Sequence, residues 1–501
     1  MIRFISHSTK PIPDELVNAH LISRNGEVIQ GEIKIENGVI SAQSGGHTSL
    51  ALCLQCDAGK AGRLMLQTSV LPARDEPYIL DLELARHRIK LFLDMSENWS
   101  LFHLGDDNHA VQRWEESRLI FTKALVATDN QERCELAKEA LELSLDASER
   151  LTMEHATLLL HHRFLRKAAS PSTLGVRVNA ARFDEPLREL LSKHIDIVVL
   201  PMRWSLIEPE EGKFEWGAID RWVQWAREQK KTIIAGPLLN FEEEGGIPPW
   251  VKESEHDYPS FRDKCYDHVE RVVHRYGAAI SFWNVLSGIN TNRWISLAVA
   301  NMVDLVRTSS LIVRHSRKDS RVMIELTDLF DEFVAGPSQG CSGRVFLSRL
   351  NQEGVRLDAL GVQCLVGGSY GRSARDLMRL SSKLDEFLHL EIPLIISALG
   401  APSETINEEY GWWKSQWSEK VQEQWGGQML AIALSKPFVD SVIWADLYDH
   451  DKMEVPSSAF VSKGGKPRPV LNRMLAMRNR LRKPLGQPDR AQEIQSDEEN
   501  A

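Results

Sequence analysis

From residue 172 onward the chain repeats one unit eight times: a short apolar run, then an amphipathic stretch. The runs fall at 174–179, 196–204, 231–239, 280–288, 321–329, 357–366, 393–400 and 441–449. Each is nearly continuous in apolar residues, as strands of a parallel sheet buried on both faces must be. The stretches between them follow helical spacing. Ile219, Trp222, Val223 and Ala226 recur at i, i+3, i+4 and i+7, and Leu377, Leu380, Leu384 and Phe387 keep a similar rhythm. Eight strand–helix units in about 310 residues predict an α/β fold, a closed (β/α)8 barrel rather than an open doubly wound sheet.

The preceding residues use other periods. Over 1–72 the pattern is strand-like. Ile33, Ile35, Val39 and Ser41 alternate around Asn37-Gly38, a hairpin turn signal, and Ala51, Cys53, Gln55, Leu64, Leu66 and Thr68 continue it. This predicts a β-rich, sandwich-like accessory domain. Residues 73–172 switch to helical spacing (Leu136, Ala140, Leu143, Ala147), a helical connecting region that ends at the small-residue run 168–172. The barrel is expected over 173–485, and the acidic end, 486–501, reads as a disordered tail.

Charge and composition exclude several classes. Asp and Glu outnumber Lys and Arg, 70 to 60, and the net charge of −10 argues against a general nucleic-acid binder. No apolar run approaches the ~20 residues of a membrane span. The first residues lack a continuous apolar stretch of signal-peptide type, and six cysteines are too few for a disulfide framework. A cytoplasmic setting is the expectation, with export by an unrecognised route left open. No phosphate-cradling glycine loop or serine-hydrolase elbow is present, and no cofactor is implied. Cys53-x-x-Cys56 stands without a second ligand pair, so no metal site is expected.

Barrel active sites lie at the C-terminal strand ends. There the run MRWSLIEPEEGKFEWGAIDRWVQWA (202–226) resembles the second-strand region of glycoside hydrolase family 10, the endo-xylanase family. Met202, Arg203, Trp204, Glu208, Pro209, Gly212, Phe214, Trp216 and Asp220 carry the likeness, with Arg203 where the family has Lys. Ile247-Pro248-Pro249-Trp250, Gly361-Val362-Gln363 and Lys436 to Trp444 are similar to further family segments, so the resemblance covers roughly 174–483. It implies a β-1,4-xylan-type substrate. It also implies a retaining mechanism, which needs two carboxyl groups ~5–5.5 Å apart.

The family's two glutamate positions are replaced. The strand-four segment is Trp283-Asn284-Val285-Leu286-Ser287-Gly288, with Gly288 at the acid/base position. The strand-seven segment is Ile396-Ser397-Ala398-Leu399-Gly400, with Ala398 at the nucleophile position. Neither glycine nor alanine can attack an anomeric carbon or move a proton. The histidines expected after strands three and six are also gone. Residues 236–242 are Gly-Pro-Leu-Leu-Asn-Phe-Glu, and Cys364 and Leu365 follow Gln363.

Substitute carboxylates are available at the predicted mouth. Glu325 is the first candidate, with Asp328 and Asp446; Asp449 and Glu242 to Glu244 also lie near strand ends. Each reads more readily as a solvated or ion-paired acid. Arg203, Trp204, Asn240, Phe241, Trp283, Asn284, Gln363 and Trp444 are the expected sugar-binding positions, with Trp204, Trp283 and Trp444 as the floor of a cleft. Trp412 and Trp413 can stack on sugar or pack the connection after strand seven. Trp216, Trp222 and Trp225 read as core.

The expectation is a family 10-like pseudoenzyme that binds an oligo- or polysaccharide. One alternative is an active O-glycosyl hydrolase using relocated carboxylates. The other is a non-catalytic scaffold that offers the helical region to partner proteins.

Overall fold

The computed structural model describes residues 1–8, 15–170, 172–242, 246–336, 339–368 and 371–486. The predicted tail beyond 486, and Glu243 and Glu244, lie outside them. Each apolar run contains a barrel strand. In order these are Leu174–Arg177, Ile197–Leu200, Thr232–Ala235, Phe282–Ser287, Arg321–Leu326, Ala359–Leu365, Leu394–Gly400 and Val439–Trp444. All neighbours pair in parallel, the first strand pairs with the eighth, and Ile234↔Phe282 and Ala235↔Trp283 close the ring between the third and fourth. The fold is a (β/α)8 barrel. Its helices bury the predicted faces: Ile219, Trp222, Val223, Trp225 and Ala226 point inward from Gly217–Glu228.

Inside the ring, alternate residues face the axis. Ile197, Val199, Ile234, Phe282, Met323, Ala359, Ile395 and Ile443 form one apolar cluster filling the barrel interior. Toward the C-terminal ends the inward positions turn polar: Arg177, Asn284, Glu325 and Gln363. Between the sixth and seventh strands the register steps from Val362↔Ile396 to Gln363↔Ala398, leaving Ser397 as the extra residue. Such a bulge re-aims the next side chain. Ala398 thereby packs with Leu365, Ala445 and Val455 in a small apolar cluster of its own.

The N-terminal region forms two sheets. One holds Ile2–Ile5, Glu32–Glu36, Val39–Gln43 and Tyr78–Ile79, with positive φ at Asn37 and Gly38 in the hairpin turn. The other contains His20–Ile22, Val28–Ile29, Ser49–Asp57 and Gly62–Gln67. This second sheet takes its last strand from the barrel. Trp412–Trp413, in the connection after the seventh barrel strand, pairs antiparallel with Gly62 and Arg63. Gly62 is required there, because it has φ +109 and a Cβ on it would meet the Trp412 carbonyl oxygen at 2.3 Å.

Three helices follow, Leu80–Asn98, His109–Val126 and Asn130–Phe164. They are bound to the barrel by buried polar contacts. Arg88 makes a two-pronged bond to Asp376 at 2.5 and 2.9 Å. The Arg163 guanidinium donates to the carbonyls of Leu434, Lys436 and Val439 at 2.6–2.9 Å, where the eighth strand begins. No helix among the described residues is long and apolar enough to cross a membrane.

Candidate functional site

A chain of alternating charges crosses the C-terminal mouth of the barrel. Asp446, just past the eighth strand, accepts from Arg177 Nη2 at 3.3 Å. Arg177 ends the first strand and also donates to Glu454 at 2.8 Å. Glu454 accepts from Arg372 at 2.6 Å, and Arg372 reaches Glu242 at 3.2 Å. Arg293 pairs with Glu242 at 3.2 Å and with Asp328 at 3.7 Å. Four acids and three arginines are thus linked, drawn from the ends of strands one and eight and from the loops after strands three, four, five, six and eight. Buried charges persist only when paired in this way.

Glu242 is the centre of the chain. Its Oε2 also accepts the Thr327 hydroxyl at 2.6 Å, and its backbone N–H donates to Asn240 Oδ1 at 3.0 Å. Its carboxylate presses against Gly288, which has φ +68. A Cβ built on Gly288 would lie 2.9 Å from Glu242 Oε2 and 3.1 Å from its Cβ. Burial raises the Glu242 pKa, and Arg372 and Arg293 pull against it.

Asp328 sits deeper in like-charge surroundings. Burial, with Glu332 and Asp331 nearby, lifts its carboxyl to about 7, and Arg293 only partly offsets this. It accepts the backbone N–H groups of Phe330 and Phe333, both at 3.2 Å. Glu454 behaves oppositely: burial alone would raise it, but Arg372 and Arg177 outweigh burial and hold it low. One guanidinium, that of Arg293, therefore holds two carboxyl groups whose protons are bound more tightly than usual.

Glu325, the first substitute candidate, is buried inside the barrel, where it accepts the Ser287 hydroxyl at 2.6 Å. Asp446 belongs to the mouth chain and lies 3.4 Å from His450 Nε2. Asp449 faces away from it, in a buried two-pronged pair with Arg468 at 2.5 and 3.1 Å.

The predicted binding positions divide sharply. Asn284 and Gln363 are buried, and the side-chain oxygen of each lacks a hydrogen-bond partner. Asn240 supports Glu242. Arg203 lies close enough to Glu454 to help lower its pKa. Phe241 is buried.

The tryptophans correct the expectation of a cleft floor. Trp204, Trp283 and Trp444 are at most 1 % exposed and belong to the main core rather than the mouth. Parity explains Trp283: its neighbours Phe282 and Asn284 point inward, so it points out toward the helices. Trp204 stacks on His268 at 4.2 Å, and Trp444 stacks on Phe460 at 5.1 Å. Trp412 and Trp413 are the strand that joins the N-terminal sheet, and Trp413 is buried with its Nε1 on Glu149. Trp222 and Trp225 are core as expected, and Trp216 is half-buried.

The second-strand motif is itself a structural staple. Glu208 accepts the Trp204 indole N–H at 3.0 Å and the Gly212 backbone N–H at 2.9 Å. Its side chain is buried against the barrel wall, away from the charge chain.

Arg177, Arg293, Arg372 and Glu454 were not identifiable as site residues. Arg177 alone carried a signal, a cation ending an apolar strand run. The others lie in loops, where no periodicity marks them.

Comparison with known proteins finds relatives of the first half of the barrel. The Glycosyl hydrolase family 10 model matches residues 164–296, ending after the fourth strand. Endo-1,4-beta-xylanase B of Humicola insolens is 22 % identical over 161 residues, 32 % of this chain and 42 % of that protein. Endo-1,4-beta-xylanase 3 of Hypocrea jecorina is 25 % identical over 174 residues, 34 % of this chain and 48 % of its own. The matched stretches thus span less than half of these relatives. Among solved structures, xylanase B from Clostridium stercorarium F9 aligns with 63 % of this chain and 98 % of its own, at 16 % identity and a TM-score of 0.47. Residues 164–296, the first half of the barrel, are thus family 10-like.

Proposed function

We propose that this family 10-like barrel is a pseudoenzyme for the family's retaining reaction, and that its mouth binds a carbohydrate of β-1,4-xylan type without cleaving it. The observation that carries the reading is Glu242. Its carboxylate fills the space above Gly288 and is held there by Arg293, Arg372 and Thr327. An acid/base group must reach the leaving oxygen of a substrate, whereas this one is spent on three protein partners. The nucleophile position implied by the resemblance is Ala398, a methyl group among Leu365, Ala445 and Val455. A charge-lined mouth of arginine forks and carboxylates still suits sugar hydroxyls, which donate to the acids and accept from the guanidinium groups.

A second reading is favoured by one observation. Glu242 and Asp328 share Arg293, and both hold their protons more tightly than ordinary carboxyl groups. A carboxyl that stays protonated near neutrality is what a general acid needs. On this reading the chain is an O-glycosyl hydrolase with its carboxylates relocated.

Calorimetric titration of the purified chain with xylohexaose, followed by chromatography of the mixture, separates the two. Saturable heat without shorter products is expected. Products that disappear in Glu242→Gln would establish the relocated pair. No heat and no products would remove xylan-type chains from both readings.

A further inference from the structure

A second concentration of charge lies where the N-terminal sheet meets the barrel. It surrounds a cavity of about 40 Å³. Its walls come from three parts of the chain: His20 and Cys53, directly opposite each other on paired strands; His87 and Arg88 on the helix Leu80–Asn98; and Arg375, Arg379 and Lys383 at the helix Leu377–Asp385. Since a water needs roughly 10–15 Å³ on this scale, the cavity has room for about three waters or one small tetrahedral anion.

Most, but not all, of the hydrogen-bonding capacity of the cations here is used. Arg88 is matched by Asp376. Lys383 is matched by Glu386 at 2.8 Å. Arg375 pairs with Glu332 through one Nη and lies 3.7 Å from the Phe330 ring centre, but its Nε is buried without a hydrogen-bond partner. Arg375 as a whole is only 4 % exposed. No carboxylate among the described residues lies in ion-pair range of Arg379. Burial, and then Arg375 beside it, press its pKa below the usual guanidinium value, against the pull of Asp376, Cys53 and Glu386.

His20 adds no net charge, because what favours its imidazolium is the opposite charge of Cys53, whose thiol it in turn holds below the usual value. Burial opposes a charge on it, yet Cys53 across the strand pair outweighs burial and raises the imidazole to about 9, with Nδ1 held 2.9 Å from the Asn18 carbonyl. His87 is kept neutral by burial and by Arg379 and Arg88, and so keeps one donor and one acceptor.

We propose that this interface cavity is a binding site for a small tetrahedral oxyanion of the phosphate or sulfate class, anchored by Arg379 and by the free Nε of Arg375. Guanidinium forks match such anions in geometry as well as in charge. The anion would give Arg379 a partner in ion-pair range, which no carboxylate among the described residues provides. Because its walls span sheet, helix and barrel, occupancy would bind the N-terminal region to the barrel. The proposal is independent of what the mouth binds.

The test uses the full chain in chloride, acetate, sulfate, inorganic phosphate and glycerol 3-phosphate at equal ionic strength. Two quantities are read: the thermal unfolding midpoint, and the rate at which Cys53 is alkylated by iodoacetamide, located by peptide mapping. Phosphate or sulfate should raise the midpoint saturably above chloride and slow Cys53 alkylation at least fivefold. In Arg379→Gln both effects should weaken at least tenfold in anion concentration. A response to inorganic phosphate alone identifies a free anion as the ligand, and a stronger response to the ester identifies a phosphorylated metabolite. Equal midpoints and equal alkylation rates in all five salts would overturn the proposal, as would an undiminished response in Arg379→Gln. Should that variant not fold, protection of Cys53 in the native chain decides alone.

Discussion

Glu242 and Gly288 compete for one volume: the Glu242 Oε2 lies 2.9 Å from where a Gly288 side chain would begin, and Gly288 has φ +68. The loop after the third strand has moved a carboxylate into the space that the resemblance assigns to a residue at the end of the fourth. Restoring a glutamate at 288 therefore sets two acids against each other on a left-handed backbone. Gly288→Glu is expected to lose about 2–4 kcal/mol of stability from strain and like-charge contact and to gain no xylan hydrolysis. Urea unfolding with a reducing-sugar assay checks both, and recovered hydrolysis would contradict the displacement.

Arg293 is the shared cation of Glu242 and Asp328. Arg293→Gln should leave both acids under-compensated and cost about 2–3 kcal/mol. Adding Asp328→Asn should recover part of that loss, since one of the stranded charges is gone. A double-mutant cycle by chemical denaturation reads the coupling, which should exceed ~0.5 kcal/mol.

The raised carboxyl of Asp328 fixes a pH dependence. Its folded pKa, about 7, lies above the ~3.9 of an unfolded Asp. Between these values the folded state holds a proton that the unfolded state has lost. Stability from this group is therefore complete below about pH 4 and declines as the pH rises toward 7. Relative to Asp328→Asn, the native chain should lose roughly 2 kcal/mol between pH 5 and 7, by unfolding curves at matched ionic strength. A flat difference would remove the assignment.

Arg88 and Asp376 form a buried ion pair between the first long helix and the barrel. Arg88→Ala should cost about 3–5 kcal/mol, because Asp376 is left buried and unpaired. Arg88→Met with Asp376→Leu should be far milder. Thermal unfolding of the three variants gives the order.

Trp204 and Glu208 were legible as a family motif, but not as what they do. Trp204→Phe loses the indole bond to Glu208 and should cost about 1–2 kcal/mol while leaving xylohexaose binding unchanged. Calorimetry and denaturation together separate the two effects. The motif is a staple of the barrel wall, a role that needs no catalysis.

The barrel was readable because its signal is periodic. Eight apolar runs and the helices between them impose spacings that the ring then satisfies, from Leu174 to Trp444. The mouth was not readable, because Arg293, Arg372 and Glu454 meet only after the loops fold, and loop residues obey no period. The tryptophans show the same limit from the other side. Trp283 and Asn284 are adjacent in sequence, yet one faces the helices and the other the barrel axis. A one-residue bulge at Ser397 decides where Ala398 points.

The strand Trp412–Trp413 has a consequence for how the chain can come apart. It leaves the barrel after the seventh strand, completes the N-terminal sheet beside Gly62 and Arg63, and returns to the next barrel helix. Peeling off the first 79 residues would strip that ladder of its partner and bare Trp413 and its neighbours to water. The N-terminal region is thus less an appendage than a missing wall of the barrel, and heat should melt the two in a single transition.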